Sequence, residues 1–242
     1  MAMVTGIIVL AGIYAAFNSQ QKIHTKEQQV VDAEQNVRGA AHFMVREIRF
    51  AGMDEKGTAD AGFLIAGPHS IQFTLDRHDD GGTGLADGDV DDAEENITYG
   101  LFSDTADLTP DSDGIADSGA ALIGRVTTGN DELAQDIHAI GFAYAFDFDG
   151  DGDGILEEYW AYDSDGDGSL DWDNDTGAGL GFTVNFDRIK AVRIWILART
   201  RHPLRDYSGP KNFIVGDKVI NVNDNFKYRL LTTTVKCRNM GI

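Results

Sequence analysis

The sequence predicts an α+β chain: one long N-terminal α-helix packed on an antiparallel β-sheet head that carries Asp/Gly-rich loops. Three observations carry this. Apolar residues recur every three or four positions up to residue 51, and no proline occurs before Pro68. After Gly57 the pattern changes to short runs of β-branched and aromatic residues divided by glycine and aspartate. Third, the stretch Asp147–Asp175 alternates acids with glycine and does so twice.

The helix comes first. Met1–Phe17 contains no charged residue. A membrane-spanning helix needs about 20 apolar residues and a secretory h-region about 7–15, so the run falls between the two. No basic segment precedes it, and no small-residue cleavage site stands clearly after it, which fits a removed signal peptide poorly. A polar stretch follows. Then Val30, Ala33, Val37, Ala41, Met44, Ile48 and Ala51 draw one apolar stripe. Gly52 and Gly57 supply the stop. A single helix is therefore expected from the start to about Ala51, roughly 75 Å long at ~1.5 Å per residue. Its first third is apolar all round, suited to lipid or to a bundle of like helices. The rest is amphipathic, suited to a head. The expected division is residues 1–52 as a membrane or filament-core helix and 53–242 as the head, with an acidic insertion at 147–175.

Strands are expected at Ser70–Leu75, Asn96–Phe102, Ala121–Val126, Ile137–Phe148, Arg188–Thr200 and in the closing run from Phe226. Ile140, Phe142, Tyr144 and Phe146 alternate along the fourth. In the fifth, Ile189, Ala191, Arg193 and Trp195 alternate against Lys190, Val192, Ile194 and Ile196. One helix followed by successive strands points to an antiparallel sheet with the helical stripe over one face.

The acidic stretch is a pair of aligned loops, expected to be joined by a short strand at Glu157–Tyr162. Asp149–Glu157 and Asp163–Asp171 match at an offset of 14, with acids at positions one, three, five and nine, glycine at four and six, and leucine at eight. Oxygens two residues apart wrap a hard cation, and the glycine at six allows the sharp turn. Position seven usually offers a backbone carbonyl. Neither copy is a full EF-hand, since position twelve holds Trp160 or Asn174. A register starting at Asp147 places Glu158 twelfth but puts Gly154 where an aliphatic belongs. The candidate ligands are Asp147, Asp149, Asp151, Asp153, Glu157, Glu158, Asp163, Asp165, Asp167, Asp171 and Asp173, and the expected cargo is two Ca²⁺ ions. The competing reading is a solvated acidic insertion. A fainter echo is Asp111–Asp117.

Composition narrows the function. The 242 residues carry a formal charge of −20, which excludes nucleic acid as partner because phosphate binding needs a basic footprint. Tyr144–Thr176 holds 12 acids and no Lys or Arg, whereas Gly177–Ile242 holds 12 Lys and Arg against 4 acids. The two regions either attract each other or form separately solvated surfaces. The single cysteine, Cys237, allows no intrachain disulfide and has no neighbouring motif that would make it a nucleophile. No HExxH, GxSxG, P-loop or strand-following GxGxxG occurs, and the six histidines show no ligand spacing. The chain is not expected to be an enzyme.

The run MVTGIIVLAGIYAAF, the segment QQVVDAEQNVRGAAHFMVREIRFAGMD, the stretch Arg188–Arg201 and the close Tyr228–Asn239 together resemble the PilW family of type IV pilin-like minor pilins. This resemblance covers about 100 residues at the two ends and leaves out the acidic middle. It implies an inner-membrane subunit that is extracted into a pilus, packs on other pilin subunits through its N-terminal helix, and helps prime assembly. It also implies a localisation, inner membrane first and then filament or periplasm. The prepilin cleavage motif of the family is missing, so the chain is expected to start about eight residues inside the mature helix. Two other readings are a membrane-anchored calcium-dependent adhesion module and a pseudopilin of type II secretion.

Overall fold

The computed structural model describes residues 2–78, 86–92, 94–103, 109–117, 121–127, 129–146, 159–204 and 207–240. Helix α1 runs over Ala2–Ile48, 47 residues and about 70 Å. It stops three residues before the expected Ala51. There the amides of Phe50 and Ala51 switch to the carbonyls of Glu47 and Ile48, at 2.8 and 3.1 Å. This tightens the last turn, and Gly52 leaves it with a left-handed φ of 73°.

The helix leads two lives. Ala33, Val37, Ala40, Ala41, Met44 and Ile48 are buried, following the expected stripe, while Val30 is half-buried. The residues from Leu10 to Thr25 are all exposed, among them Leu10, Ile13, Tyr14, Phe17 and Ile23. Among the described residues, no helix is long and apolar enough to cross a membrane.

The head follows as β1 (Phe63–Ala66), β2 (Ile71–Thr74), β3 (Asn96–Phe102), β4 (Ala121–Val126), β5 (Asn130–Phe146), β6 (Ala161–Tyr162), β7 (Ser169–Asp173), β8 (Ala178–Asn185), β9 (Ile189–Arg199), β10 (Pro210–Val215), β11 (Lys218–Asn223) and β12 (Tyr228–Lys236). All described pairings are antiparallel. The 17-residue β5 organises the sheet. Its first half pairs with β4, its second half with β9, and Tyr144 also meets Ala161 of β6. One wing continues β4–β3–β2–β1, the other β6–β7–β8, and β12 closes on β9. The wings curl toward each other, because the Asp163 amide donates to the Ala66 carbonyl at 2.9 Å and the Phe142 amide to the Pro68 carbonyl at 2.9 Å.

Helix α1 packs on β5, β9 and β12. Period-two alternation divides the central strands between two cores. Ile140, Phe142, Tyr144 and Phe146 of β5, with Val192, Ile194, Ile196 and Ala198 of β9, join the helix-side core. Ala139, Ala143, Trp195 and Leu197 face the other way. They pack under the β10–β11 hairpin through Val215, Ile220 and Val222.

That hairpin sits on the sheet through two glycines. A Cβ on Gly141 would stand 3.0 Å from the Gly216 nitrogen and 3.2 Å from its Cα. Both are backbone atoms and cannot rotate away. Gly141→Val is expected to lift the hairpin and cost about 1–3 kcal/mol through overpacking. A thermal melt, with amide exchange at Val215 and Gly216, checks this. Exchange as slow as in the parent would show that the contact is not needed.

Candidate functional site

The described half of the acidic stretch is the β6–β7 connection. Asp163, Asp165 and Asp167 bring one carboxylate oxygen each to within 4.8 Å of one another. Local chemistry dictates this convergence. The Asp163 Oδ1 accepts from the amides of Asp165 and Gly166 at 3.3 and 2.7 Å, and its Oδ2 accepts from Gly168 at 3.1 Å. Asp165 Oδ1 accepts from the Asp167 amide at 3.2 Å, and Asp167 Oδ1 from the Ser169 amide at 2.9 Å. Each aspartate thus folds the chain over itself, and the side chains follow one another round the turn. Gly166 and Gly168 take left-handed φ angles of 82° and 89°, which a residue with a Cβ adopts only at a cost. Leu170 is fully buried beneath the loop and fixes it to the core.

This geometry suits a hard cation. Oxygens on opposite sides of one Ca²⁺ lie roughly twice ~2.4 Å apart, and the three carboxylate oxygens lie within that reach of one another. Asp163 is buried, and Asp165 and Asp167 are exposed. The arrangement sets one ligand in the protein interior and two at its surface. Carboxylate oxygens have further lone pairs after accepting a backbone N–H.

The other candidates lie elsewhere. Asp171 is turned to Ser164, accepting from its amide at 2.9 Å and its hydroxyl at 2.8 Å. Asp173 holds the β7–β8 turn, taking the amides of Asp175 and Thr176 at 2.9 and 3.4 Å and the Thr176 hydroxyl at 2.8 Å. Asp147, Asp149, Asp151, Asp153, Glu157 and Glu158 lie outside the described residues. Of the expected linking strand Glu157–Tyr162, residues 159–162 are described, and Ala161–Tyr162 is a strand. Among the described residues the basic last third meets this region in the ion pair of Arg193 with Asp175 at 3.9 Å. The Arg193 guanidinium also lies over the Trp160 ring, 3.8 Å from its centre.

The fainter echo forms a similar turn with a different neighbour. Asp111 Oδ1 accepts from the amides of Asp113 and Gly114, both at 2.9 Å. The fifth position is Ile115, which packs toward the hairpin core. Lys218 donates to the Asp113 carbonyl at 2.6 Å. A fixed ammonium stands where a second cation would be repelled.

Sequence reasoning missed a buried ionic cluster. Glu47, on the last turn of α1, accepts from the Tyr99 hydroxyl and from the Arg125 Nε, the latter at 2.9 Å. Burial works against the Arg125 charge, but Glu47 more than offsets it and holds the guanidinium protonated above its ordinary range. Burial, reinforced by the Glu47 charge, pushes the Tyr99 phenol up. The available signal was a glutamate beside Ile48 on the buried side of the stripe, which demands a buried partner. Cys237 is buried, and burial pushes its thiol up to about 12, so it stays protonated and unreactive near neutral pH.

The family model for type IV pilus-assembly protein W, PilW, matches residues 116–239, slightly more than half of the chain. The chain belongs to the PilW family. The match corrects the expected extent of the resemblance. It runs through the acidic middle and does not include the N-terminal helix. PilW proteins are pilus-assembly components and are associated with the cell envelope. No curated protein matches the chain. Among solved structures, a type IV-like pilin, TTHA1219 from Thermus thermophilus, is similar at 13% identity and a TM-score of 0.49, over 86% of this chain and 98% of that one.

Proposed function

We infer that this PilW-family chain is a structural subunit of a type IV pilus or related filament, of the minor-pilin kind, whose head is braced by Ca²⁺. The carrying observation is the divided helix. Its lower half is spent on the head, and its upper half leaves Leu10, Ile13, Tyr14 and Phe17 in solvent. An exposed apolar surface of this size needs a partner. In this reading the upper half packs against the helices of other subunits, and before assembly it is held in the inner membrane. A photo-cross-linker at Leu10 in cells is expected to capture other pilins, whereas one at exposed Asp187 is not. Capture of no pilin from Leu10 removes the reading.

The calcium part rests on the Asp163–Asp165–Asp167 convergence. The carbonyl of Ser169 and water would complete the shell. Such loops outside cells bind in roughly the 10⁻⁴–10⁻³ M range. Ca²⁺ at ten- to a hundredfold over that constant would add about 1.4–2.7 kcal/mol. Millimolar Ca²⁺ is expected to raise the melting temperature of the purified chain. Asp165→Asn with Asp167→Asn is expected to shrink that rise. A melt insensitive to calcium counts against the bracing.

A further inference from the structure

The β2–β3 connection holds a second group of carboxylates that the tandem loops do not account for. Asp76 and Glu95 have no solvent exposure at all. They stand at adjoining ends of β2 and β3, because the amide of Leu75, the residue before Asp76, donates to the Glu95 carbonyl at 3.0 Å. Glu95 folds back over the start of the connection. Its Oε1 accepts from the amides of Arg77 and His78 at 2.6 and 2.8 Å. Its Oε2 is buried and has no hydrogen-bond partner among the described residues. Asp76 accepts from the amides of Asp87 and Gly88 at 3.1 and 3.0 Å. These bonds bring the far end of the connection onto the pair.

The charge balance of this corner is wrong for two bare carboxylates. Residues 76–95 carry nine acids and one base, Arg77. Arg77 is half-exposed and turned to Glu94 at 3.5 Å. Lys56 reaches in only as far as the Asp87 carbonyl, at 2.8 Å on the surface. Burial, together with the nearby charges of Glu95 and Asp87, pushes the Asp76 carboxyl up. Burying like charges side by side is costly unless a cation or a proton joins them. The connection also repeats a familiar spacing. Counted from Asp87, acids stand at positions one, three, five and nine, as Asp87, Asp89, Asp91 and Glu95. Val90 and Asp92 replace the glycines of the tandem loops, so it is the sequence spacing of the acids that is kept.

We propose that Asp76 and Glu95 bind a Ca²⁺ ion within the β2–β3 connection, a site separate from the β6–β7 loop. Oxygen-only ligands select a hard divalent ion. In this proposal the unpartnered Glu95 Oε2 and the remaining Asp76 lone pairs serve as its ligands, and water completes the shell. Bound there, the ion ties the β2–β3 connection to the segment after α1, since the Asp76 amide donates to the Met53 carbonyl at 2.7 Å and Thr58 donates to the Gly88 carbonyl at 2.9 Å.

The test is calorimetric titration of the full chain in detergent micelles with calcium chloride near pH 7.5. Glu95→Gln keeps the acceptor for the two amides and removes the charge. It is expected to bind one ion fewer than the parent, while Asp165→Asn with Asp167→Asn leaves this site filled. An unchanged stoichiometry in a folded Glu95→Gln chain overturns the site and means that the two carboxyls share a proton instead. Should that variant not fold, hydrogen exchange on the parent decides. The amides of Arg77, His78, Asp87 and Gly88 are expected to exchange about tenfold more slowly with millimolar Ca²⁺. Equal exchange with and without calcium overturns the proposal. Because the Asp165 and Asp167 replacements report on the other loop alone, loss of either site is seen separately.

Discussion

Glu47→Ala is expected to destabilise the head by about 3–5 kcal/mol, the range for breaking a buried ion pair. The Arg125 side chain is 4% exposed and depends on Glu47. Its other carboxylate contacts, Asp131 at 3.5 Å and Glu94 at 4.0 Å, come from exposed side chains and are worth little. Alanine at 47 would also remove the acceptor of the buried Tyr99 hydroxyl. For a head of this size the loss corresponds to a fall in melting temperature of roughly 10 °C. A triple variant, Glu47→Leu, Tyr99→Phe and Arg125→Met, is expected to recover most of it, since apolar replacement of a whole buried cluster is often neutral. A triple variant no more stable than Glu47→Ala would mean that packing, not the orphaned charge, sets the loss.

The second large effect lies one residue on. Ile48→Ala removes a fully buried side chain between helix and sheet and is expected to cost about 2–5 kcal/mol. Leu10→Ala on the same helix changes an exposed side chain and is expected to shift the stability of the isolated chain by under about 0.5 kcal/mol. The two should exchange rank when assembly is measured. Ile48→Ala lowers the amount of folded subunit, whereas Leu10→Ala leaves folded subunit that fails to join its neighbours. Urea melts, combined with filament incorporation in cells, separate the cases. A Leu10→Ala chain that assembles normally would deny the upper helix its role.

Much of this fold was legible because its signals are local. The stripe from Ala33 to Ile48 is a spacing of three and four, and the strands β3 and β4 are dense in β-formers. Strand β5 was expected to begin at Ile137 but begins at Asn130. Its first residues, Asp131, Glu132 and Gln135, are polar and gain order from pairing with β4. Strand β6 is the end of the short strand expected at Glu157–Tyr162. Strands β7 and β8 were illegible, and β8 is glycine-rich with mostly exposed positions. The β10–β11 hairpin does carry a signal, Gly216–Asp217 between two apolar alternations, yet it is missing from the expected strands.

The site divides in the same way. The convergence of Asp163, Asp165 and Asp167 follows from side chains bonding amides two to five residues on. The partnership of Glu47 with Arg125 spans 78 residues, and only the folded sheet brings the two together. Asp76 and Glu95 read in sequence as part of an acidic loop, and their burial is what distinguishes them.

The seat of the helix has a consequence for the order of events in the cell. Residues 33–48 rest on β5, β9 and β12, and two of those strands are made from residues 189–236. The platform does not exist while the first three-quarters of the chain emerge. During synthesis the stripe must therefore wait, solvated or held by another surface, until the last strand arrives. Structures built on such distant pairings mature slowly and expose sticky intermediates. A chain interrupted before Tyr228 would have its helix, β5 and β9 but not β12, the outer strand of the platform on which the helix rests.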